Sequence, residues 1–316
     1  MPLLIINLFL SFLLLKLLIP KISKVIISVP NSRSSHTTIT PSGGGLIFVF
    51  LSVIFTAFSG NYICLTSLCL PLTGFLDDLF ELNSLVRYFA QVITVILLIH
   101  FSTLNDILLN SLPNLISTAI ILILIIYGTA IINFINFMDG IDGLVAGSMI
   151  IIFAFHSLSG SPLFWSLVGS LLGFLILNWH PAKIFMGDTG STFLGGVFFG
   201  VQINNNWNYS LSLLLISSPL LFDAIICIFR RLISKQNIFT AHKSHLYQRL
   251  IQSGISHAQV SCIYIAFTLL LALTNYFYGL SLLIPLLVIE FFIGYLLDIK
   301  LAVPFSKTIN PRLELK

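Results

Sequence analysis

The stretch Asn133 to Leu144 reads Asn-Phe-Ile-Asn-Phe-Met-Asp-Gly-Ile-Asp-Gly-Leu and puts an oxygen-bearing side chain at every third position: Asn133, Asn136, Asp139 and Asp142. On a straight α-helix this spacing drifts by roughly 60° per step, so the four groups would spread over about half the circumference. They converge only where the helix tightens or breaks. Gly140 and Gly143 favour a break, since each weakens a helix interior by about 1 kcal/mol. The stretch closes an apolar run with Ile120 to Ile126 at its core. It is expected to be a helix end that opens into an oxygen-rich pocket at a membrane surface.

Three other clusters have chemical potential. Asp77-Asp78 directly follow the apolar run Ile63 to Leu76. Adjacent carboxylates repel unless they share a cation or a proton, so the pair suits a metal-linked or proton-accepting role. A solvated helix end is the plainer alternative. Met186-Gly187-Asp188-Thr189-Gly190-Ser191 precedes another apolar segment. Its glycines admit a ligand close to the backbone, Ser191 is placed to cap the next helix, and a helix N-terminus suits phosphate. Asp188 would repel that phosphate unless a divalent cation such as Mg²⁺ lay between them. Finally, His242, His245 and Arg249 would share one helical face and suit phosphate or sugar recognition. Their spacing supplies no further Cys or His for a zinc site.

The elements that must position these groups are membrane helices. Of 316 residues, 57% are hydrophobic and only 8% charged, with a mean hydropathy of +1.03, whereas a soluble domain carries about a quarter charged residues. The expected fold is an all-α polytopic membrane protein, one domain over 1–316. Apolar segments fall near 3–19, 44–59, 62–76, 86–102, 114–132, 144–158, 163–178, 192–203, 210–229, 258–277 and 281–298. That makes about eleven transmembrane helices, with ten possible; 62–76 and 192–203 are short for a bilayer and could be tilted partners or half-helices. The first is read as a span and not a secretory peptide, because Met1 to Ile19 has no basic leader. The four cysteines form no CxxC pair and read as core-filling residues.

In this arrangement all 15 Lys and Arg fall on one side, and Asp106 is the sole charge in the opposite loops. The positive-inside rule then gives an outside N-terminus, a cytoplasmic C-terminus and an active site in cytoplasmic loops. The inner loops carry every cluster above, together with Pro30 to His36, whereas the outer loops read as plain connections. A transporter would place its polar groups at mid-bilayer, in broken helices of repeated halves. Glu290, in mid-segment, should face the bundle interior.

Gly74-Phe-Leu-Asp77-Asp78, the Asn133 to Leu144 stretch, Pro181-Ala-Lys183-Ile-Phe-Met-Gly-Asp188-Thr-Gly-Ser191 and His242-Lys-Ser-His245 occur in this order. As a set they resemble the motifs of the polyprenyl-phosphate N-acetylhexosamine-1-phosphate transferases. The resemblance implies a bacterial inner-membrane enzyme in which undecaprenyl phosphate attacks the β-phosphate of a UDP-N-acetylaminosugar and releases UMP. It implies Mg²⁺, with Mn²⁺ as an alternative, held at Asp188 with help from Asn136. It further assigns Asp77 and Asp78 to the lipid phosphate, and Asp139 and Asp142 to the nucleotide side. Asn133, Lys183, His242, His245 and Arg249 are binding or supporting candidates. A homodimer would be ordinary for the class, and nucleic acid is not an expected partner. The peptidoglycan members, which take a MurNAc-pentapeptide substrate, typically have a Lys soon after the paired aspartates. Here Leu-Phe-Glu-Leu follows, which favours the members that start O-antigen or related glycans.

Overall fold

The computed structural model describes residues 2–30, 35–36, 38–110, 112–237, 240 and 242–309. The basic residues Arg33, Arg312 and Lys316 lie outside the described residues, as does most of the loop between Pro30 and His36. In chain order the helices are α1 (Pro2–Ile22), α2 (Gly45–Ala57), α3 (Ile63–Thr66), α4 (Cys69–Phe80), α5 (Ser84–His100), α6 (Thr103–Asn110), α7 (Asn114–Phe137) and α8 (Leu144–Ser159). They continue with α9 (Trp165–Asn178), α10 (Gly187–Ile203), α11 (Trp207–Ile216), α12 (Ser218–Ile233), α13 (Leu246–Gln252), α14 (His257–Tyr278), α15 (Leu280–Lys300) and α16 (Phe305–Ile309). Between α1 and α2, a short antiparallel pair β1 (Ile27–Ser28) and β2 (Thr40–Pro41) matches Ile27 with Pro41.

Every apolar segment found in the sequence is helical. Among the described residues, five helical spans are long and apolar enough to cross a membrane: Pro2–Ile22, Ile63–Phe80, Asn114–Phe137, His257–Tyr278 and Leu280–Lys300. A sixth arises if α11 and α12, bent by 73° at Ser217, count as one. The outer surface agrees with lipid as the solvent. Of α15 only Leu283 and Glu290 are buried, while Ile284, Val288, Phe291 and Phe292 lie open, a continuous apolar face that water would not tolerate. Glu290 turns inward as its cost in lipid requires, and accepts a hydrogen bond from Ser218 Oγ at 2.6 Å.

The middle of the bundle is α10, buried at every position from Thr189 to Ile203 and packed on α2, α4, α5 and α7. Two readings of this region change. The helix begins at Gly187 and not near Thr192, so the segment is a 17-residue helix that contains the Gly-Asp-Thr-Gly-Ser motif. Ser191 is consequently not its N-cap. It lies in the second turn, where its Oγ donates to Asn136 Oδ1 at 2.6 Å. A backbone ladder causes the early start: Phe185 N donates to Pro41 O (2.8 Å), Gly44 N to Phe185 O (2.9 Å) and Gly45 N to Met186 O (3.1 Å). Those bonds fix the loop before α10 against the loop before α2 and leave Gly187, at φ +68°, to turn into the helix.

Candidate active site

Four chain segments meet at one end of α10. Helix α4 brings Asp77 and Asp78 in its last turns and crosses the start of α10 with almost no separation, because Gly74 has no side chain. A Cβ there would sit 2.5 Å from Thr189 N. Asp77 is held from two sides, by Leu82 N on Oδ1 (2.8 Å) and by Arg87 Nη1 on Oδ2 (2.8 Å). The same Arg87 nitrogen reaches Asp188 Oδ2 at 3.2 Å. Arg87, in the first turn of α5, thus ties the two carboxylate motifs together. The sequence marked it only as a positive-inside residue, although a basic side chain one short turn after paired aspartates was a usable signal. Asp78 lies deeper, with Thr189 Oγ1 at 3.4 Å, and its Oδ2 occupies the space that a Cβ on Gly187 would need.

The third segment is the stretch after α7. As expected, the helix stops at Phe137, and the chain turns through Asp139 and Asp142 before Gly143, at φ +75°, starts α8. A cavity of about 320 Å³ opens here, with Asp78, Asn136, Asp139, Asp142 and Asp188 in its walls. Asn136 also lies against the Asp188 carboxylate. Burial pushes the Asp139 carboxyl well above the usual range, and the neighbouring Asp188, Asp78 and Asp142 push it further. Asn133, one turn earlier, spends its amide on a reciprocal pair with Gln91 (2.8 and 3.1 Å) and on Thr129 O (2.8 Å). It braces α7 on α5 beside a smaller pocket of about 100 Å³ that Arg87 and Asp188 also line.

Asp142 is the most tightly held of the acids that line the cavity. Its Oδ2 accepts from His180 Nδ1 (2.6 Å) and Ala182 N (3.2 Å), and His257 Nδ1 lies 3.4 Å from Oδ1. Burial alone would raise its pKa, but the hydrogen bonds from His257 and His180 and the Ala182 N–H outweigh it and hold the carboxyl below its ordinary value. A depressed folded pKa stabilises the fold above the unfolded value of about 4, and that contribution disappears as pH falls through the lower folded value. Asp142→Asn should therefore lower stability by about 1–2 kcal/mol at neutral pH. In thermal melts of the detergent-solubilised protein, the gap between parent and variant should close below about pH 4. A gap independent of pH would show that the contribution is not ionic. His180 and His257 were not singled out from the sequence, because they join Asp142 across 38 and 115 positions.

The remaining candidates are placed elsewhere. Lys183 is exposed at the edge of its loop and does not line the cavity. His242, His245 and Arg249 do not share a helical face, because α13 begins only at Leu246. Arg249 is 2% exposed, and its guanidinium is committed to Ser244 O, Val303 O and Asp298, which anchors the fifth loop to the end of α15. His245 is buried and packs near Phe137, with its ring 5.0 Å from that of His242. Burial, then His245 and Arg231, push His242 down to about 3, so its ring is neutral at physiological pH. From α13 it is Gln248 that reaches the cavity, while Tyr247 Oη donates to Phe137 O at 2.9 Å.

A bundle of apolar helices whose ends gather carboxylates around a guanidinium defines a polytopic membrane protein with a charged cavity at the start of α10. Comparison with known proteins narrows the class. Residues 61–206 match the family described as glycosyl transferase family 4. A probable undecaprenyl-phosphate N-acetylglucosaminyl 1-phosphate transferase of Bacillus subtilis is 32% identical over 281 residues, covering 78% of this chain and 77% of the relative. A decaprenyl-phosphate N-acetylglucosaminephosphotransferase of Mycobacterium leprae is 30% identical over 286 residues, covering 74% and 72%. A phospho-N-acetylmuramoyl-pentapeptide-transferase of Staphylococcus epidermidis is 31% identical over 250 residues, covering 66% and 78%. The chain belongs to glycosyl transferase family 4.

Proposed function

We propose that the protein transfers an N-acetylaminosugar-1-phosphate from a UDP-sugar to undecaprenyl phosphate. UMP leaves, and the lipid diphosphate-linked sugar starts an O-antigen, lipopolysaccharide or related envelope glycan. One observation supports this most: Asp77, Asp78, Asp139 and Asp188 converge at the N-terminus of α10, with Arg87 bonded to two of them. The two GlcNAc-phosphate relatives carry names of the same reaction type.

The carboxylates and the Asn136 amide oxygen are hard ligands of the kind that suit Mg²⁺ and also Mn²⁺, and binding would exchange the Arg87 contact on Asp188 for the ion. In this reading Asp188 and Asn136 hold the ion. When bound, it offsets the charge of the diphosphate as the phosphoryl group transfers. The protein's own groups account for the rest. Asp77, fixed by Leu82 N and Arg87, orients or deprotonates the lipid phosphate, with Asp78 beside it. Asp139 and Asp142 face the nucleotide side of the cavity. Arg249 is left out of substrate contact, because its donors are spent on the fold. The distribution of basic residues supports an odd number of spans, read as eleven, and a cytoplasmic site; the bacterial relatives support a bacterial inner-membrane location, and a single domain and a homodimer complete the reading. The staphylococcal relative supports a second substrate, a UDP-MurNAc-pentapeptide, against which the Leu-Phe-Glu-Leu sequence after Asp78 argues.

The test is UMP release by purified protein with undecaprenyl phosphate and a panel of UDP-aminosugars, with identification of the lipid product. Release is expected with UDP-GlcNAc or a deoxy-aminosugar relative, and only when Mg²⁺ or Mn²⁺ is added. Release with the MurNAc-pentapeptide donor alone would favour the second substrate. Translocation of lipid across vesicles without UMP would replace the reading with a transporter.

A further inference from the structure

The strand pair between α1 and α2 has two faces of opposite character. It matches Ile27 with Pro41 and Ser28 with Thr40, and side chains directly opposed in an antiparallel pair share a face. The inner face carries Ile26, Ser28, Thr40 and Ser42, extended by Ser42 N donating to Ile26 O at 3.2 Å. Ile26, Thr40 and Ser42 are buried, and Ser28 and Ser42 line the cavity of about 320 Å³ that holds the acids. The outer face carries Val25, Ile27 and Val29 at alternate positions, with Ile39 opposite Val29 by the same register. These four are 65%, 49%, 55% and 64% exposed.

Two observations identify what covers that outer face. The first is continuity with the membrane. Helix α1 is long and apolar enough to span, and its exposed edge runs through Phe9, Leu13 and Leu17 at steps of four. One further step reaches exposed Lys21, and the next reaches Val25. Val25 N donates to Ile22 O at 2.9 Å, so the apolar face begins against the end of the span. The second observation is charge. Lys21 and Lys24 are both exposed beside the face, and the chain holds no acidic residue before Asp77. An apolar patch with a cationic rim matches the surface of an anionic bilayer. A lone two-stranded pair is marginal in water, so support on both faces is what this one needs.

We propose that Val25, Ile27, Val29 and Ile39 insert into the interfacial layer of an anionic bilayer, with Lys21 and Lys24 at the level of the lipid phosphates. The strand pair then lies between lipid and cavity. Its outer face is held by the bilayer, and through the backbone that contact fixes Ser28 and Ser42 in the cavity wall. The cavity is thereby registered to the membrane surface by a segment other than a spanning helix.

Nitroxide labelling of the full-length protein in nanodiscs of phosphatidylcholine and phosphatidylglycerol tests the contact. Cys64 and Cys227 are buried, so Cys69→Ser with Cys262→Ser leaves a background that labels only at an introduced thiol. Val25→Cys, Ile27→Cys, Val29→Cys and Ile39→Cys are labelled one at a time, each variant being checked by its thermal melt. Thr38→Cys is the control, exposed but one step out of phase with Ile39. The expected result is more frequent collision with oxygen than with a water-soluble nickel chelate at the four apolar positions, and the reverse at Thr38. In the chain with its native cysteines, Ile27→Asp combined with Val29→Asp should speed trypsin cleavage after Lys24 by about 10-fold, because cleavage follows the population of the lifted segment. Nickel-dominated collision at the four positions, equal lipid exposure at Thr38, or unchanged cleavage would overturn the proposal. Dipolar broadening between labels on two copies would also overturn it, in favour of a dimer face. No readout here uses substrate, so failure leaves the transfer reaction untouched, and failure of the UMP assay leaves this contact untouched.

Discussion

Asp188→Asn should abolish UMP release to within about one part in 10³ while leaving the protein folded. The magnitude follows from what the side chain does. It sits in the first turn of α10, 3.2 Å from the Arg87 guanidinium and against Asn136. Removing a single preorganised electrostatic group from a reacting centre costs on the order of 10²–10³ in rate. Here the same change also removes an anionic ligand that the proposed cation needs, so the upper end applies. Stability should change little, because two effects oppose each other. The Arg87 pair is lost, but so is one of several carboxylates that repel one another around the cavity. Asparagine keeps the shape, and the helix turn survives because Thr192 Oγ1 bonds the backbone oxygen of residue 188. The measurements are UMP release at saturating donor and a thermal melt of the same preparation. Parent-like turnover would remove Asp188 from the reaction and leave its motif a helix-start device.

The sequence disclosed the acidic half of this site far better than the basic half, for physical reasons. Paired aspartates and an Asn-x-x-Asn-x-x-Asp-x-x-Asp run sit in local strings, and polar oxygen beside apolar helix is conspicuous. The helices were equally plain, since lipid imposes long apolar runs. Partners supplied by other helices were not. Arg87 was read through the positive-inside rule, which explains a lysine or arginine at any inner helix end and so conceals one with a specific task. His257 and Gln248 join the cavity walls, and His180 reaches Asp142, only through tertiary packing. The fifth-loop histidines were misplaced because i, i+3 spacing was given a helix that begins only at Leu246. Ser191 was read as a cap because serine before an apolar run usually is one. The ladder from Pro41 to Gly45 starts α10 a turn earlier and turns that hydroxyl to Asn136.

The cavity depends as much on an absence as on its acids, and Gly74→Ala is expected to show it. A Cβ at residue 74 would fall 2.5 Å from Thr189 N, 2.6 Å from Asp188 C and 2.8 Å from Asp188 O. All three are backbone atoms of α10, so no side-chain rotamer can yield, and the two helices must part. Alanine is favoured over glycine in a helix by about 1 kcal/mol, whereas overpacking a tight contact costs about 1–3 kcal/mol. The net effect on stability is therefore small to moderate loss. Turnover should suffer far more. Asp77 and Asp78 lie one turn beyond residue 74, and Asp188 is itself part of the clash, so any parting shifts the two carboxylate motifs relative to each other. A misplacement of about 1 Å at a reacting centre costs roughly 10²-fold in rate. Gly294→Ala on α15 is the control, since nothing among the described residues lies within 4 Å of its added carbon. That variant should melt at or slightly above the parent temperature and turn over normally. If Gly74→Ala loses activity only in proportion to folded protein, the α4–α10 contact is structural support without a part in registering the acids. A fall in turnover of about 10²-fold in a preparation that still melts cooperatively would show that the contact sets the distance between Asp77 and Asp188.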